Sequence, residues 1–348
     1  MKKFVALLLA VLLVMVNIAA LAAETEPSYS SGANVTSTEV FTKKYDTNVA
    51  GLLPDETLSF VATPEETNPT DDNIEITSLK IEKTKNAETG EPIDDTSYTY
   101  ALTVKYPEYT KVGIYYYYVK ETSGNAQGAT YDSDELGLAV MVTYGEGTTL
   151  NITPYTQYPK NAGDDAEKDD IFNNSYEAGK LTVKKEFDPD SNAASKDQYF
   201  SINVKFTATN YVKSDITYTG GTDDTANDQT IAHGTNGWTG DKTVTIKIKA
   251  GETVTFSDIP SGVTYTVSED AAHNAEDPNG SNPATGYTTS ISNPTGTIDS
   301  GTKAAVVTNK KEIKVPTGIT LETLPYVMIM AIAAAGAVAL FARKREEY

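Results

Sequence analysis

Two lysines in this chain stand where a charge is costly. Side chains at i and i+2 of a strand share a face. Phe41, Lys43 and Tyr45 therefore share one face, and Leu181, Val183, Lys185 and Phe187 share another. Each lysine sits among apolar neighbours and should point into a core, while Lys44 and Lys184 point to solvent. The same alternation puts Glu121 beside Val119, Glu269 beside Val267, Asn174 beside Phe172 and Asn309 beside Val307. Each half of the chain thus offers an inward Lys, an inward Glu and an inward Asn, in the same order. Buried charges are costly unless paired. From spacing alone, a buried Lys–Glu salt bridge with an Asn at a nearby strand end accounts for each triplet.

The elements that position these residues read as strands. Alternating runs rich in Thr, Val and Tyr recur at Tyr98–Tyr106, Ile114–Lys120, Leu138–Tyr144, Ser201–Thr207, Thr243–Lys249 and Val263–Glu269. Turn clusters such as Glu88-Thr89-Gly90, Thr219–Thr222 and Asp277–Asn282 separate them. This pattern predicts an all-β protein of two tandem sandwich domains. The repeat supports it. Val40–Tyr45 matches Leu181–Phe187, Tyr117–Glu121 matches Tyr265–Glu269, and each half closes on a strand ending in Asn. The boundary falls near residues 176–179. The predicted organisation is a signal peptide over 1–23, a flexible tail over 24–37, a first domain over 38–177, a second over 178–312, and a terminal signal over 313–348.

Both ends carry processing signals. Met1-Lys2-Lys3, an apolar run from Phe4 to Ile18 and small residues at Ala19, Ala20, Ala22 and Ala23 form a secretory signal peptide. At the other end, Lys314-Val315-Pro316-Thr317-Gly318 precedes an apolar stretch over 324–342, expected to be a transmembrane helix, and the basic Arg343-Lys344-Arg345. The order resembles the cell-wall sorting signal of Gram-positive surface proteins, with Lys314-Val315 in place of its Leu-Pro. That resemblance implies that a sortase recognises Val315, Pro316, Thr317 and Gly318 and attacks the Thr317 carbonyl, releasing everything from Gly318 on. The Thr317 acyl group would pass to an amine, and the helix would anchor the chain in the membrane only until then.

Composition narrows the function. Between the processing sites, 23 basic residues face 45 acidic ones, a net charge near −22. Such a surface repels nucleic acid and anionic membranes. The chain has no cysteine, so it has neither disulfides nor Cys-His chemistry. His233 and His273 lie far apart without metal-ligand spacing and read as loop residues. No metal or cofactor is expected. Trp238, the single tryptophan, lies in Gly237–Gly240, which reads as a turn. The acidic stretch Asp164–Asp170 reads as an exposed loop.

The stretch from Gly251 to Glu269 resembles the G-x-x-x-x-F-x-x-[LI]-P-x-G-x-x-Y-x-V-x-E signature of Gram-positive pilin isopeptide domains, with Phe256, Pro260, Gly262, Tyr265, Val267 and Glu269 in place. Gly113–Glu121 is a looser version, with Lys111 where the Pro would stand. The likeness is to FctA-type backbone pilins built of Ig-like domains of the collagen-adhesin B kind. It covers residues 38–318. It implies two intramolecular isopeptide bonds, Lys43 to Asn174 with Glu121 as helper and Lys185 to Asn309 with Glu269 as helper. In that chemistry, burial lowers the Lys pKa and raises that of the Glu, the neutral amine attacks the Asn carbonyl, and the protonated Glu hydrogen-bonds that carbonyl. Ammonia leaves, once per domain, so the chain is a sortase substrate and no enzyme in the ordinary sense. Two lysines could accept the next subunit's Thr317: Lys160, in a Tyr158-Pro159-Lys160-Asn161 motif, and Lys168, four residues before Phe172. The resemblance implies a shaft subunit of a covalent surface pilus, supporting adhesion. Its partners would be sortase, further copies of itself, minor or tip pilins and peptidoglycan. The alternative is an adhesin anchored singly to the cell wall and binding a host or matrix ligand.

Overall fold

The computed structural model describes residues 27–69, 72–86, 88–122, 124–163, 167–191, 198–221, 229–269, 287–311 and 324–345, with side chains of the last segment described over 326–338. The signal peptide, Val315–Gly318 and His273 lie outside these residues.

Residues 36–176 form two facing sheets. One has the order β3-β5-β1-β10-β7, with β1 Thr36–Thr47, β3 Glu75–Ile76, β5 Ser97–Lys105, β7 Ala129–Thr130 and β10 Ile171–Tyr176. The other has the order β4-β2-β6-β8-β9, with β2 Thr57–Pro64, β4 Leu79–Lys80, β6 Gly113–Thr122, β8 Glu135–Tyr144 and β9 Leu150–Gln157. Phe41, Tyr45, Tyr98, Tyr115, Tyr117, Val119, Leu136, Leu138 and Phe172 pack between them. The alternation seen in the sequence is the cause, since every second residue of β1 and β6 turns inward.

Residues 178–311 repeat the plan. One sheet runs β14-β13-β16-β11-β20-β18, with β11 Ala178–Phe187, β13 Ile216–Gly220, β14 Gln229–Ile231, β16 Thr253–Pro260, β18 Tyr287–Ser292 and β20 Thr302–Lys311. The other runs β15-β12-β17-β19, with β12 Phe200–Val212, β15 Trp238–Ile248, β17 Thr264–Glu269 and β19 Thr295–Thr297. A second core, including Val183, Val204, Phe206, Phe256 and Val307, fills this sandwich.

In each domain the first and last strands are parallel neighbours. β1 pairs with β10, Lys43 opposite Phe172 and Tyr45 opposite Asn174. β11 pairs with β20, Lys185 opposite Val307 and Phe187 opposite Asn309. The register is the same in both. The Pro260-Ser261-Gly262 turn joins β16 to β17, and Gly262 has a φ of 83°, a conformation that glycine adopts without a Cβ clash. This turn also meets the first domain, because the Gln127 side-chain amide donates to the Ser261 carbonyl at 2.8 Å.

Three expectations need correction. The stretch read as a flexible tail is docked from Ser30 on. Ser30 N–H donates to the Thr148 carbonyl, Leu150 N–H donates to the Ser30 carbonyl, and Tyr29 packs edge-on against Tyr144. Backbone pairing and an aromatic contact outweigh its polar composition. Trp238 does not sit in a free turn but opens β15, buried opposite Val212. The C-terminal stretch is helical over Leu324–Arg345. Even so, among the described residues no helix is long and apolar enough to cross a membrane.

Candidate isopeptide sites

Lys43 and Asn174 come from the adjacent parallel strands of one sheet, and Glu121 faces them from β6 of the other. All three side chains are buried. The Lys43 ammonium lies 2.5 Å from Glu121 Oε2. The Asn174 amide nitrogen donates to Glu121 Oε1 at 2.7 Å. One carboxylate therefore addresses two nitrogens, that of the lysine amine and that of the asparagine amide. The Asn174 carbonyl oxygen accepts from the backbone N–H of Asp132 at 2.8 Å. A backbone N–H can only donate, so this contact sets which end of the Asn174 amide is oxygen. The Glu carboxyl thus holds the amide nitrogen, where the carbonyl had been expected.

Burial pushes the Lys43 amine below its ordinary value, against the opposing pull of Glu121, Asp132 and Glu56. The desolvation cost falls on the charged form, which favours the nucleophilic neutral amine.

Asp132 is held in turn. Its carboxylate accepts from the N–H groups of Asn173 at 2.7 Å and Asp134 at 2.8 Å. The preceding Tyr131 is fixed by its hydroxyl, which donates to Glu56 Oε2 at 2.6 Å and accepts from Ala126 N–H at 2.9 Å. Glu56 is buried, also accepts from the Tyr45 hydroxyl at 2.8 Å, and has its pKa raised by burial. No motif in the sequence marks Glu56, Tyr131 or Asp132. The only sequence signal nearby is the polar Asp132-Ser133-Asp134 cluster, which reads as a turn.

The second domain brings together Lys185, Glu269 and Asn309 by the same strands, with different contacts. Asn309 donates to Glu269 Oε1 at 2.7 Å. The Lys185 ammonium is 3.5 Å from Glu269 Oε2, and that oxygen accepts from the Thr289 hydroxyl at 2.6 Å. Lys185 is fully buried and sits over the Phe200 ring at 4.4 Å. Among the described residues neither its amine nor the Asn309 carbonyl oxygen has a hydrogen-bond partner. Burial lowers the Lys185 pKa to about 8, with Glu269 opposing.

Lys160 and Lys168 are both exposed between β9 and β10. Lys160 lies 2.9 Å from Glu135 and over the Tyr118 ring at 5.4 Å. His233 sits in a loop with Nδ1 2.6 Å from Asp215, apart from either triplet.

A family profile described as a Spy0128-like isopeptide containing domain matches residues 40–177. Another, described as a domain of unknown function (DUF7601), matches residues 179–311. A curated protein named "Pilin", from Streptococcus pyogenes serotype M1, is 25% identical over 332 residues, covering 87% of this chain and 89% of that protein. Among solved structures, the major pilin from Streptococcus pyogenes is 21% identical with a TM-score of 0.46, covering 80% of this chain and 99% of that one. The major pilin protein T3.2 of the same species is 22% identical with a TM-score of 0.46 and the same coverage. Residues 40–177 thus match the Spy0128-like isopeptide family, and the chain over most of its length is similar to a streptococcal pilin.

Proposed function

We propose that this chain is the structural shaft subunit of a sortase-assembled surface pilus, strengthened by two self-formed Lys–Asn isopeptide bonds. The observation that carries the reading is the Lys43–Glu121–Asn174 triplet, buried between the first and last strands of its domain and repeated as Lys185–Glu269–Asn309. A Lys–Glu pair alone would explain two of these residues. The buried asparagine, held by the same carboxylate that touches the lysine, is what a cross-linking reaction needs.

The bond would form once per domain and without a cofactor. Lys43 gives a proton to Glu121, and its neutral Nζ attacks Asn174 Cγ. The Nζ–Cγ bond forms and the Cγ–Nδ2 bond breaks. Glu121 relays a proton to the leaving nitrogen through its other oxygen, and ammonia departs. The new amide keeps one N–H, and the carboxyl ends protonated. Proximity within a folded core can account for several kcal/mol of the barrier. The link joins strands at which the chain enters and leaves the domain. A pull along the pilus would then bypass the sandwich interior, a role that disulfides fill elsewhere.

In this reading a sortase cleaves after Thr317, and the acyl group passes to Lys168 or Lys160 of the next subunit. The C-terminal helix leaves with the discarded piece. Exposure of both lysines supports either as acceptor. Residues 24–317 should weigh about 34 Da less than their sequence mass, from two lost ammonia molecules. A spectrum at the unmodified mass would remove the cross-link from the reading. Covalent ladders from the native cell surface should vanish when the acceptor lysine is changed, and ladders that survive loss of both Lys160 and Lys168 would exclude these sites.

A further inference from the structure

We propose that the backbone N–H of Asp132 is the oxyanion donor for cross-linking in the first domain, an inference that rests on the isopeptide reading above. Both oxygens of Glu121 are committed to nitrogens, Oε2 to Lys43 and Oε1 to Asn174 Nδ2. When Lys43 Nζ bonds to Asn174 Cγ, the carbonyl electron pair moves onto Oδ1. That negative charge forms on the atom 2.8 Å from Asp132 N. A donor aimed at a developing charge, in a site closed to water, needs no reorganisation during the reaction. As the tetrahedral intermediate collapses, the pair returns to the carbonyl, the Cγ–Nδ2 bond breaks, and the nitrogen leaves as ammonia with the proton relayed by Glu121.

The loop is built to hold this N–H in place. Asp132 is pinned by its carboxylate to Asn173 and Asp134, and Tyr131 is pinned by its hydroxyl to Glu56 and Ala126. Asn173 is the neighbour of the reacting asparagine, so the donor is registered on the strand that carries its target. The second domain provides the contrast, since its buried Asn309 oxygen has no donor among the described residues.

The test replaces the peptide bond between Tyr131 and Asp132 by an ester, introduced during cell-free synthesis of the full chain. This keeps the Asp132 side chain and removes only the N–H. Samples are quenched in acid over time, and the cross-linked peptide pairs Lys43–Asn174 and Lys185–Asn309 are quantified by mass spectrometry. The first bond should form roughly a hundredfold or more slowly, with the second unchanged as a clock within the same molecule. An unchanged first rate would overturn the proposal while leaving the isopeptide reading intact. If neither pair cross-links in the unaltered chain, it is that reading which fails. Should the ester chain not fold, the unreacted Glu121→Gln chain supplies a second measurement. A through-hydrogen-bond NMR coupling between Asp132 N and Asn174 Cγ is expected there, and its absence would equally overturn the proposal.

Discussion

The two domains carry the same three residue types in the same register, yet their sites differ in how completely they are assembled. In the first, lysine, carboxylate and amide form a closed set of short contacts, and the asparagine oxygen has a donor. In the second, the lysine stands 3.5 Å from a carboxylate that also serves Thr289, and the asparagine oxygen is bare among the described residues. The order of residues along the strands is therefore enough to bring the groups together. It is not enough to polarise them equally. If both sites cross-link as proposed, the first should do so faster, and the second should rely more on proximity and on the depressed basicity of its amine.

The largest effect should come from removing each carboxyl in turn. Glu121→Gln and Glu269→Gln should each leave one bond, seen as a deficit of about 17 Da in place of about 34 Da. Each lost link reopens a loop of roughly 130 residues in the unfolded chain, worth about 4–5 kcal/mol, which corresponds to a melting drop on the order of 10–20 °C for the affected domain. Glu121→Gln should be the more damaging, because it also strands the buried Lys43 ammonium 2.5 Å from a group without charge. Equal drops in calorimetry would erase the distinction between the sites.

A pH series sharpens the comparison further. The Lys185 pKa is lowered to about 8, so the reactive neutral amine gains about tenfold per pH unit below that value. Cross-linking of Lys185 to Asn309 should accelerate up to about pH 8 and then level off. Lys43 touches Glu121 directly and should pass its proton straight to it, so the rate at the first site should depend on pH less steeply. In a chain carrying Asn309→Ala, which cannot form the second bond, the same shift has a stability consequence. The unfolded lysine holds its proton to near the ordinary lysine value of 10.5 while the folded one releases it near 8. Stability of that domain should therefore rise as pH climbs through this window and be lost as pH falls back through 8. A denaturation midpoint that is flat across the window would show that Lys185 is not buried in its unreacted state.

The smallest effect should follow from Thr289→Ala. It removes one donor that competes for Glu269 Oε2, the hydroxyl 2.6 Å away, which should strengthen the pull of that carboxylate on Lys185. Second-domain cross-linking should quicken a few-fold, toward the behaviour of the first. Slower cross-linking in the same time-resolved peptide assay would mean that Thr289 holds the carboxyl in its productive position.

Much of this was legible in the chain because strands impose a period of two. Alternation alone turned Lys43, Lys185, Glu121, Asn174 and Asn309 inward, and all five are buried. The repeat predicted two sandwiches, and their sheets lie over residues 36–176 and 178–311. Polar composition misjudged residues 30–35, because it does not register backbone pairing with a distant hairpin. Apolar length over 324–342 implied a spanning helix, which the described residues do not amount to.

By itself, the sequence determined which side chains enter each core, through local alternation and the cost of leaving an apolar face in water. Tertiary structure alone decided the chemistry's finer terms. Parallel pairing of β1 with β10 brought together residues separated by most of a domain. The facing sheet decided that Glu121 would hold two nitrogens. A loop pinned by Glu56 and Asn173 decided that Asp132 would offer its N–H to Asn174. That last contact has a simple reason for being invisible in sequence: every residue but proline carries a backbone N–H, so its identity says nothing, and only its position does.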